Sequence, residues 1–302
     1  MEYKMLGRTK EKLPVIGLGT WYLNVKPDEE IKALRYGLDN GAFVDTAEMY
    51  GTEELVSRAI RGRKAFVATK VSSNHFRYDE VIAACDASLD RLGVKHIDLY
   101  QLHWPNRRVP ISETMSAMEK LVDDGKIRHI GVSNFSVEEL MAAQDSMKRH
   151  EIVSNQVEYS LLVKDIEEEL LGYCRKNKVT VIAYSPLGHG GMLKDKFSGL
   201  MEMLEGIGAK HGKSGVQVAL NWLISKPQVV AIPKASTVEH VKEILGSVGW
   251  SLSKKETDMI DGIDGYSMVS LERKLGFVLK NTGAWAGLAT KRYGGTGKKK
   301  ES

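Results

Sequence analysis

Short apolar runs alternate with amphipathic segments of helical periodicity along most of this chain, in eight successive units. A strand–helix alternation of this kind predicts parallel strands, because each helix carries the chain back across the sheet before the next strand begins. Eight units predict an α/β fold, a (β/α)8 TIM barrel. The predicted strands cover residues 15–19, 42–46, 65–70, 97–103, 127–132, 153–157, 179–184 and 229–232.

The helices between these strands are predicted from apolar residues spaced three and four apart and from capping residues. Gly93 stands where a left-handed glycine often ends a helix, and Ser136 with Glu139 forms a capping-box pattern that begins one. The predicted helices cover residues 28–40, 53–60, 78–92, 112–124, a segment that begins at 136, 165–177, 199–225 and 237–245, with an added helix within 251–264.

The two ends of the chain fall outside this repeating pattern. Residues 3–12 are expected to form an N-terminal hairpin, and no proline- or serine-rich linker divides residues 1–265, which we expect to form one barrel domain. Residues 266–302 fit no barrel unit and form a predicted C-terminal extension. Met268, Leu271 and Leu275 in it have helical spacing, which predicts an extra helix, either packed on the barrel or serving as a flap over its mouth. The basic end of the extension is expected to be disordered.

Charge and composition exclude several classes of protein. The net charge of +4 comes entirely from residues 291–302, so the body of the chain is neutral and offers no broad nucleic-acid surface. No apolar run is long enough to span a membrane, and the first residues lack the apolar region of a signal peptide. The only cysteines, Cys85 and Cys174, lie in helical patterns, which predicts a reducing, cytoplasmic location. The histidines show no metal-ligand spacing, so no metal site is expected.

Polar residues follow three consecutive predicted strands. Asp45 ends the second strand and Tyr50 lies just beyond it, whereas Lys70 ends the third strand and His103 ends the fourth. The carboxyl ends of all barrel strands meet at one face, where barrel enzymes carry their chemistry. Each residue alone is more often a solvated or structural group, but four in consecutive units predict a catalytic site that moves a proton.

Motifs along the whole chain resemble those of the aldo-keto reductases. Besides the four polar residues, the shared motifs are Gly17-Leu18-Gly19-Thr20-Trp21, the segment 45–51, Leu102-His103-Trp104-Pro105, Gly131-Val132-Ser133-Asn134-Phe135, Asn155-Gln156, Ala183-Tyr184-Ser185-Pro186-Leu187-Gly188 and Ile232-Pro233-Lys234-Ala235-Ser236. The resemblance covers roughly residues 3–265 and implies an NAD(P)H-dependent oxidoreductase that reversibly reduces aldehydes and ketones to alcohols.

The same resemblance implies a role for each of the four catalytic residues. Tyr50 would be the general acid in reduction and the general base in oxidation. The Lys70 cation is expected to lower the phenol pKa from its ordinary value near ~10. Asp45 would pair with Lys70 and hold it in place. A neutral His103 would donate a hydrogen bond to the carbonyl oxygen of the substrate.

The cofactor implied is NADP, with NAD as an alternative. The resemblance assigns Ser133, Asn134 and Gln156 to the nicotinamide carboxamide and Tyr184 to the nicotinamide ring. Its other implied cofactor contacts are Thr20, Trp21, Ser185, Leu187, Gly188, Ile232, Lys234, Ser236, Thr237 and His240. His240 stands where many family members have an arginine, and a neutral imidazole cannot clamp a phosphate in the bidentate way. The substrate pocket implied is lined by Trp21, Trp104 and Phe135.

Three other functions remain open at this point. The chain could be a non-catalytic, nucleotide-binding regulatory subunit, a sugar-specific dehydrogenase that works in the oxidative direction, or a barrel isomerase or aldolase of sugar phosphates. No predicted strand is followed by G-x-G-x-x-G, so a Rossmann dinucleotide site is not expected. The expected partner is a small carbonyl or alcohol substrate, bound by a monomer or a homo-oligomer.

Overall fold

Eight parallel strands form a closed barrel in the computed structural model, which describes residues 1–193 and 197–263. Neighbouring strands pair in chain order, and a parallel bridge between Ile16 and Ala231 joins the first strand to the last. The predicted (β/α)8 barrel is therefore confirmed. The barrel strands are β3 (Gly17–Gly19), β4 (Phe43–Asp45), β5 (Val67–Val71), β6 (Ile97–Leu102), β7 (Ile127–Ser133), β8 (Ile152–Glu158), β9 (Thr180–Tyr184) and β10 (Val229–Ile232).

Helices cover the outside of the barrel. Within the described residues they are α1 (Pro27–Asp39), α2 (Glu53–Ile60), α3 (Tyr78–Leu92), α4 (Ile111–Asp123), α5 (Val137–Asp145), α6 (Leu170–Asn177), α7 (Ser198–Ala209), α8 (Gly215–Ser225), α9 (Val238–Leu245) and α10 (Lys254–Asp261). Because helices lie on one face of each strand and side chains fill the barrel interior on the other, strands such as β6 are buried along their whole length.

The capping residues act largely as predicted. Ser136 accepts a hydrogen bond from the Glu139 backbone N–H to begin α5, and Gly93 ends α3 with a φ of 65°. The helical region predicted over residues 199–225 consists of two helices, α7 and α8, because Gly212 adopts a φ of 63° and Ser214 caps α8. The helix predicted over 165–177 is also interrupted, since Glu169 has non-helical torsions of −142° and −55° between a short 3-10 helix and α6.

The predicted N-terminal hairpin closes the amino-terminal end of the barrel. Strand β1 (Tyr3–Met5) pairs antiparallel with β2 (Lys12–Pro14). The next residue after β1, Leu6, and the middle residue of β2, Leu13, are fully buried in one apolar cluster with Leu99 of β6 and Val230 of β10. The Lys4 ammonium donates hydrogen bonds to three backbone carbonyls, those of Ile224 at 2.5 Å, Lys226 at 2.7 Å and Val229 at 2.7 Å.

Lys4 should therefore contribute to the stability of the folded chain. We expect Lys4→Met to lower the free energy of unfolding by roughly 1.5–3 kcal/mol, the typical value of hydrogen bonds to a charged group. Chemical denaturation measures this difference. Lys12→Met is the matched control, because Lys12 is exposed on the paired strand opposite Met5. Equal stability of the two variants would mean that the three carbonyl contacts contribute nothing.

The helix and basic end predicted within residues 266–302 lie outside the described residues. Among the described helices, none is long and apolar enough to cross a membrane.

Candidate active site

A buried ion pair lies at the carboxyl ends of β4 and β5. Asp45 is 1% exposed and Lys70 is fully buried. The Lys70 ammonium donates to the Asp45 Oδ1 atom at 2.5 Å and to the Thr46 carbonyl at 2.7 Å. Burying either charge alone would cost several kcal/mol, so each requires the other in this position.

The second carboxylate oxygen of Asp45 has its own partners. The side-chain amide of Gln101 donates to Asp45 Oδ2 at 3.1 Å, and that of Gln156 donates to the same atom at 2.8 Å. The Gln156 amide also lies 3.3 Å from Gln101 Oε1.

Gln101 is a site residue that the sequence analysis missed. Its signal was an amide within the apolar run of β6, where a buried polar group must find hydrogen-bond partners.

Tyr50 lies in a short 3-10 helix, Glu48–Tyr50, directly above this pair. The Glu48 carboxylate fixes the turn by accepting the Ser72 backbone N–H at 2.8 Å. The Tyr50 hydroxyl is 3.4 Å from His103 Nε2, and the Lys70 ammonium is 5.0 Å from the centre of the Tyr50 ring. The four side chains predicted to act together therefore lie together.

Burial dominates the protonation of Tyr50. It raises the pKa of the phenol above its ordinary value, and the Lys70 cation, which lowers that pKa, offsets only part of the effect. The expected net lowering is therefore wrong, although Lys70 acts in the expected direction. Burial by itself lowers the pKa of Lys70, but the negative charge of Asp45 raises it, and the net value lies above the ordinary one. Lys70 therefore remains charged and Tyr50 remains protonated at neutral pH.

The residues expected to contact the nicotinamide carboxamide hydrogen bond to one another. Asn134 has a φ of 65°, a left-handed conformation that asparagine tolerates better than most residues. Its amide nitrogen donates to Ser133 Oγ at 2.9 Å and to the His103 carbonyl at 3.0 Å. Its amide oxygen accepts the Tyr184 hydroxyl at 3.0 Å. Asn134 thereby connects the end of β9 to the segment that holds His103.

A glycine-rich turn follows β9. Ser185 and Gly188 have φ values of 48° and 59°, and a Cβ atom at Gly188 would lie 2.8 Å from a Leu162 methyl carbon. Ser185 Oγ is 3.1 Å from His189 Nδ1, and the Trp21 ring packs edge-on against the His189 ring with 5.5 Å between centroids. The turn after β9 and the loop after β3 therefore meet at this face of the barrel. Leu187, between Ser185 and Gly188, is half-buried.

The segment between β10 and α9 offers positive charge and backbone donors. Lys234 is exposed and forms no ion pair with any described residue. Thr237 caps α9 by accepting the His240 backbone N–H at 3.3 Å, and the His240 side chain is exposed. Ser236 is half-buried beside this cap. The first N–H groups of a helix have no partner within the helix, so the segment suits an anionic group.

The remaining predicted residues differ in exposure. Thr20 is fully buried and its hydroxyl is 2.9 Å from that of Thr52, so its side chain belongs to a hydroxyl network. Ile232 is buried in the barrel core. Of the three aromatic residues assigned to the substrate pocket, Trp21 is 43% exposed, Trp104 is half-buried and Phe135 is buried.

Comparison with known proteins identifies the family. The model of the Aldo/keto reductase family matches residues 15–265. The methylglyoxal reductase YeaE of Escherichia coli (strain K12) is 38% identical over 273 residues, which cover 86% of this chain and 95% of that protein. A crystal structure of the thermostable aldo-keto reductase Tm1743 with the inhibitor epalrestat has a TM-score of 0.82 and 40% identity, and the match covers 87% of this chain and 100% of that one. An aldo/keto reductase from Klebsiella pneumoniae in complex with NADP and acetate has a TM-score of 0.77 and 38% identity, covering 84% of this chain and 92% of that one.

The chain belongs to the aldo-keto reductase family. The family predicted from the motifs is confirmed, and so is the predicted class of enzyme, an oxidoreductase.

Proposed function

We propose that this protein is an NADPH-dependent reductase of small aldehydes and ketones. The observation that carries the proposal is the buried Asp45–Lys70 pair beneath Tyr50, whose hydroxyl lies 3.4 Å from His103 Nε2. A proton donor and a second polar group thus face the same point at the barrel mouth. Such an arrangement suits an oxygen atom that gains negative charge during a reaction.

The proton step follows from the chain's own residues. Tyr50, held protonated by burial, donates its proton to the carbonyl oxygen of the substrate as that oxygen becomes an alcohol. His103 donates a hydrogen bond from Nε2 to the same oxygen and orients it. Lys70, fixed by Asp45, stabilises the phenolate that Tyr50 leaves behind. In the oxidative direction each step is reversed, with Tyr50 as the base.

The proposed cofactor is NADPH, which supplies a hydride to the carbonyl carbon when bound. Ser133, Asn134 and Gln156 are proposed to hold its carboxamide, and Tyr184 to contact its ring. The other proposed cofactor contacts are Thr20, Trp21, Ser185, Leu187, Gly188, Ile232, Lys234, Ser236, Thr237 and His240. Support comes from the free charge of Lys234 beside the N-terminus of α9 and from the related Klebsiella pneumoniae protein, which was solved with NADP.

Small reactive aldehydes are the proposed substrates. The Escherichia coli relative is named a methylglyoxal reductase, which makes 2-oxoaldehydes the first compounds to try. Trp21, Trp104 and Phe135 are the proposed lining of the substrate pocket. A cytoplasmic location is proposed because Cys85 and Cys174 are both buried, free thiols.

A nicotinamide-absorbance assay tests the proposed function. We expect NADPH oxidation with methylglyoxal and with other small aldehydes and ketones. The same assay with sugars and NADP, run in the oxidative direction, tests the sugar dehydrogenase. NADPH binding without turnover of any compound would support the regulatory subunit, and the absence of any absorbance change, with turnover of a sugar phosphate, would support the isomerase or aldolase.

Lys234 should distinguish the two nicotinamide cofactors. Only NADPH carries a 2′-phosphate, so Lys234→Ala should raise the Kd for NADPH by roughly tenfold to a hundredfold and leave the Kd for NADH nearly unchanged. Quenching of protein fluorescence on titration with each cofactor measures both constants.

Lys242→Ala is the matched control for this prediction. It removes the same charge from the adjoining helix α9, where the Lys242 ammonium lies 5.6 Å from the centre of the Tyr36 ring of α1. Equal weakening of NADPH and NADH by Lys234→Ala would show that Lys234 does not bind the phosphate. His240→Arg should tighten NADPH binding further, because a guanidinium can bind a phosphate through two hydrogen bonds.

A further inference from the structure

We infer that Gln101 is a positioning residue for carbonyl reduction, which acts by holding one oxygen of Asp45 so that the other oxygen fixes Lys70 beside Tyr50. The inference rests on the function proposed above and extends it to a residue outside the four predicted catalytic side chains.

Gln101 occupies a place where an amide would be costly without hydrogen bonds. Its side chain is fully buried, and its strand neighbours in the barrel register are Lys70 of β5 and Gly131 of β7. An unpaired amide in an apolar interior is destabilising. Both ends of this amide are paired, because its nitrogen donates to Asp45 Oδ2 at 3.1 Å and its oxygen lies 3.3 Å from the Gln156 amide nitrogen.

The neighbouring strand leaves space for the Gln101 side chain. A Cβ atom at Gly131 would lie 2.8 Å from Gln101 Cγ and 2.6 Å from Ser154 Oγ. Any larger residue at position 131 would therefore push the Gln101 stem away from Asp45. Gly131 therefore leaves the space in which the Gln101 amide reaches the Asp45 carboxylate.

The arrangement divides the two oxygens of Asp45 between two tasks. Oδ1 accepts the Lys70 ammonium, and Oδ2 accepts the two glutamine amides. Without the Gln101 donor, Oδ2 keeps only the Gln156 amide, so the carboxylate is held less firmly and its charge is less neutralised. The Asp45 charge raises the pKa of Tyr50, whereas the Lys70 charge lowers it. A less neutralised Asp45 and a displaced Lys70 both raise the pKa of Tyr50 further.

The test is Gln101→Met, which keeps the length of the side chain and removes its polar atoms. We expect kcat for the reduction of methylglyoxal to fall roughly ten- to a hundredfold, as when a catalytic group is misplaced, with little change in KM. The high-pH limb of the kcat profile, where Tyr50 loses its proton, should move to higher pH.

Tyr100→Phe is the matched control on the same strand. Tyr100 is also fully buried, and its hydroxyl has no hydrogen-bond partner among the described residues. This variant should retain the wild-type kcat and pH profile. A Gln101→Met enzyme that loses thermal stability but keeps kcat and the position of the limb would show that Gln101 is only a packing residue, and would overturn the inference.

Gln101→Glu provides a second test if Gln101→Met does not fold. A neutral glutamic acid can donate its O–H to Asp45, whereas an ionised one repels that carboxylate. The kcat of this variant should therefore fall with rising pH over a range where the wild-type kcat is constant. A profile that matches the wild type would overturn the inference.

If the wild-type enzyme itself reduces no carbonyl compound with NADPH, the proposed function fails. An active wild type with unaffected variants refutes only the role of Gln101.

Discussion

Tyr50→Phe should lower kcat for carbonyl reduction by about 10²–10⁴-fold, the usual contribution of a general acid. The substitution removes the phenolic proton and leaves the ring in place. Burial raises the pKa of Tyr50 above its ordinary value, so the wild-type residue is protonated and able to donate at neutral pH. The Kd for NADPH should change little. Steady-state rates with saturating methylglyoxal and a fluorescence titration with NADPH measure the two effects.

The pH dependence provides a second measure of the same residue. Reduction requires the protonated phenol, so the wild-type rate should persist to alkaline pH and fall only as the pH rises through the raised pKa of Tyr50. Tyr100→Phe, the same chemical change at a buried site in β6, should leave the rate unaltered. Turnover by Tyr50→Phe at the wild-type rate would remove Tyr50 from the mechanism.

Lys70→Met should both inactivate the enzyme and destabilise the barrel. It leaves the Asp45 carboxylate buried with two amide donors and no cation. Breaking one half of a buried pair typically lowers the free energy of unfolding by about 3–5 kcal/mol. Chemical denaturation at neutral pH measures this loss. The pKa of Lys70 is raised in the folded state, so its contribution to stability is complete below pH 10.5 and is lost as the pH rises through the raised value.

The double variant Asp45→Asn with Lys70→Met separates stability from activity. It removes both charges, so much of the lost unfolding free energy should return, since replacing a whole buried pair is often close to neutral. Its kcat should remain as low as that of Lys70→Met, because no cation stabilises the Tyr50 phenolate. Recovery of activity together with stability would indicate that the pair only supports the fold.

The barrel was predictable because its strands are short and buried on both faces. Apolar runs such as β6 and β9 stand out against amphipathic helices, and glycines such as Gly93 mark where helices end. The division of residues 199–225 into two helices was not predicted. Apolar residues continue through that segment on both sides of the break, and only the conformation of Gly212 and the cap at Ser214 separate the helices.

The residues of the candidate site were predictable from the sequence, but the protonation of Tyr50 was not. Residue type and strand-end position suffice to place Asp45, Tyr50, Lys70 and His103 at one face. They do not reveal how deeply Tyr50 is buried. The pKa of Tyr50 could not be predicted for this reason, because burial is what raises it. The contact between Gln101 and Asp45 joins residues 56 positions apart and depends on the barrel register, which the sequence alone does not specify.

The closure of the barrel has a consequence for the order in which a newly made chain can fold. The bridge between Ile16 and Ala231 joins its first strand to its last, and Lys4 binds carbonyls up to 225 positions away. At a synthesis rate of 5–20 residues per second, about 10–40 s separate the emergence of these two edges from the ribosome. During that interval β3 has an unpaired edge, the hairpin has no carbonyls to bind, and nascent chains are open to pairing with one another. Completion of β10 pairs the free edge of β3 and supplies the Val229 carbonyl to Lys4 in one step.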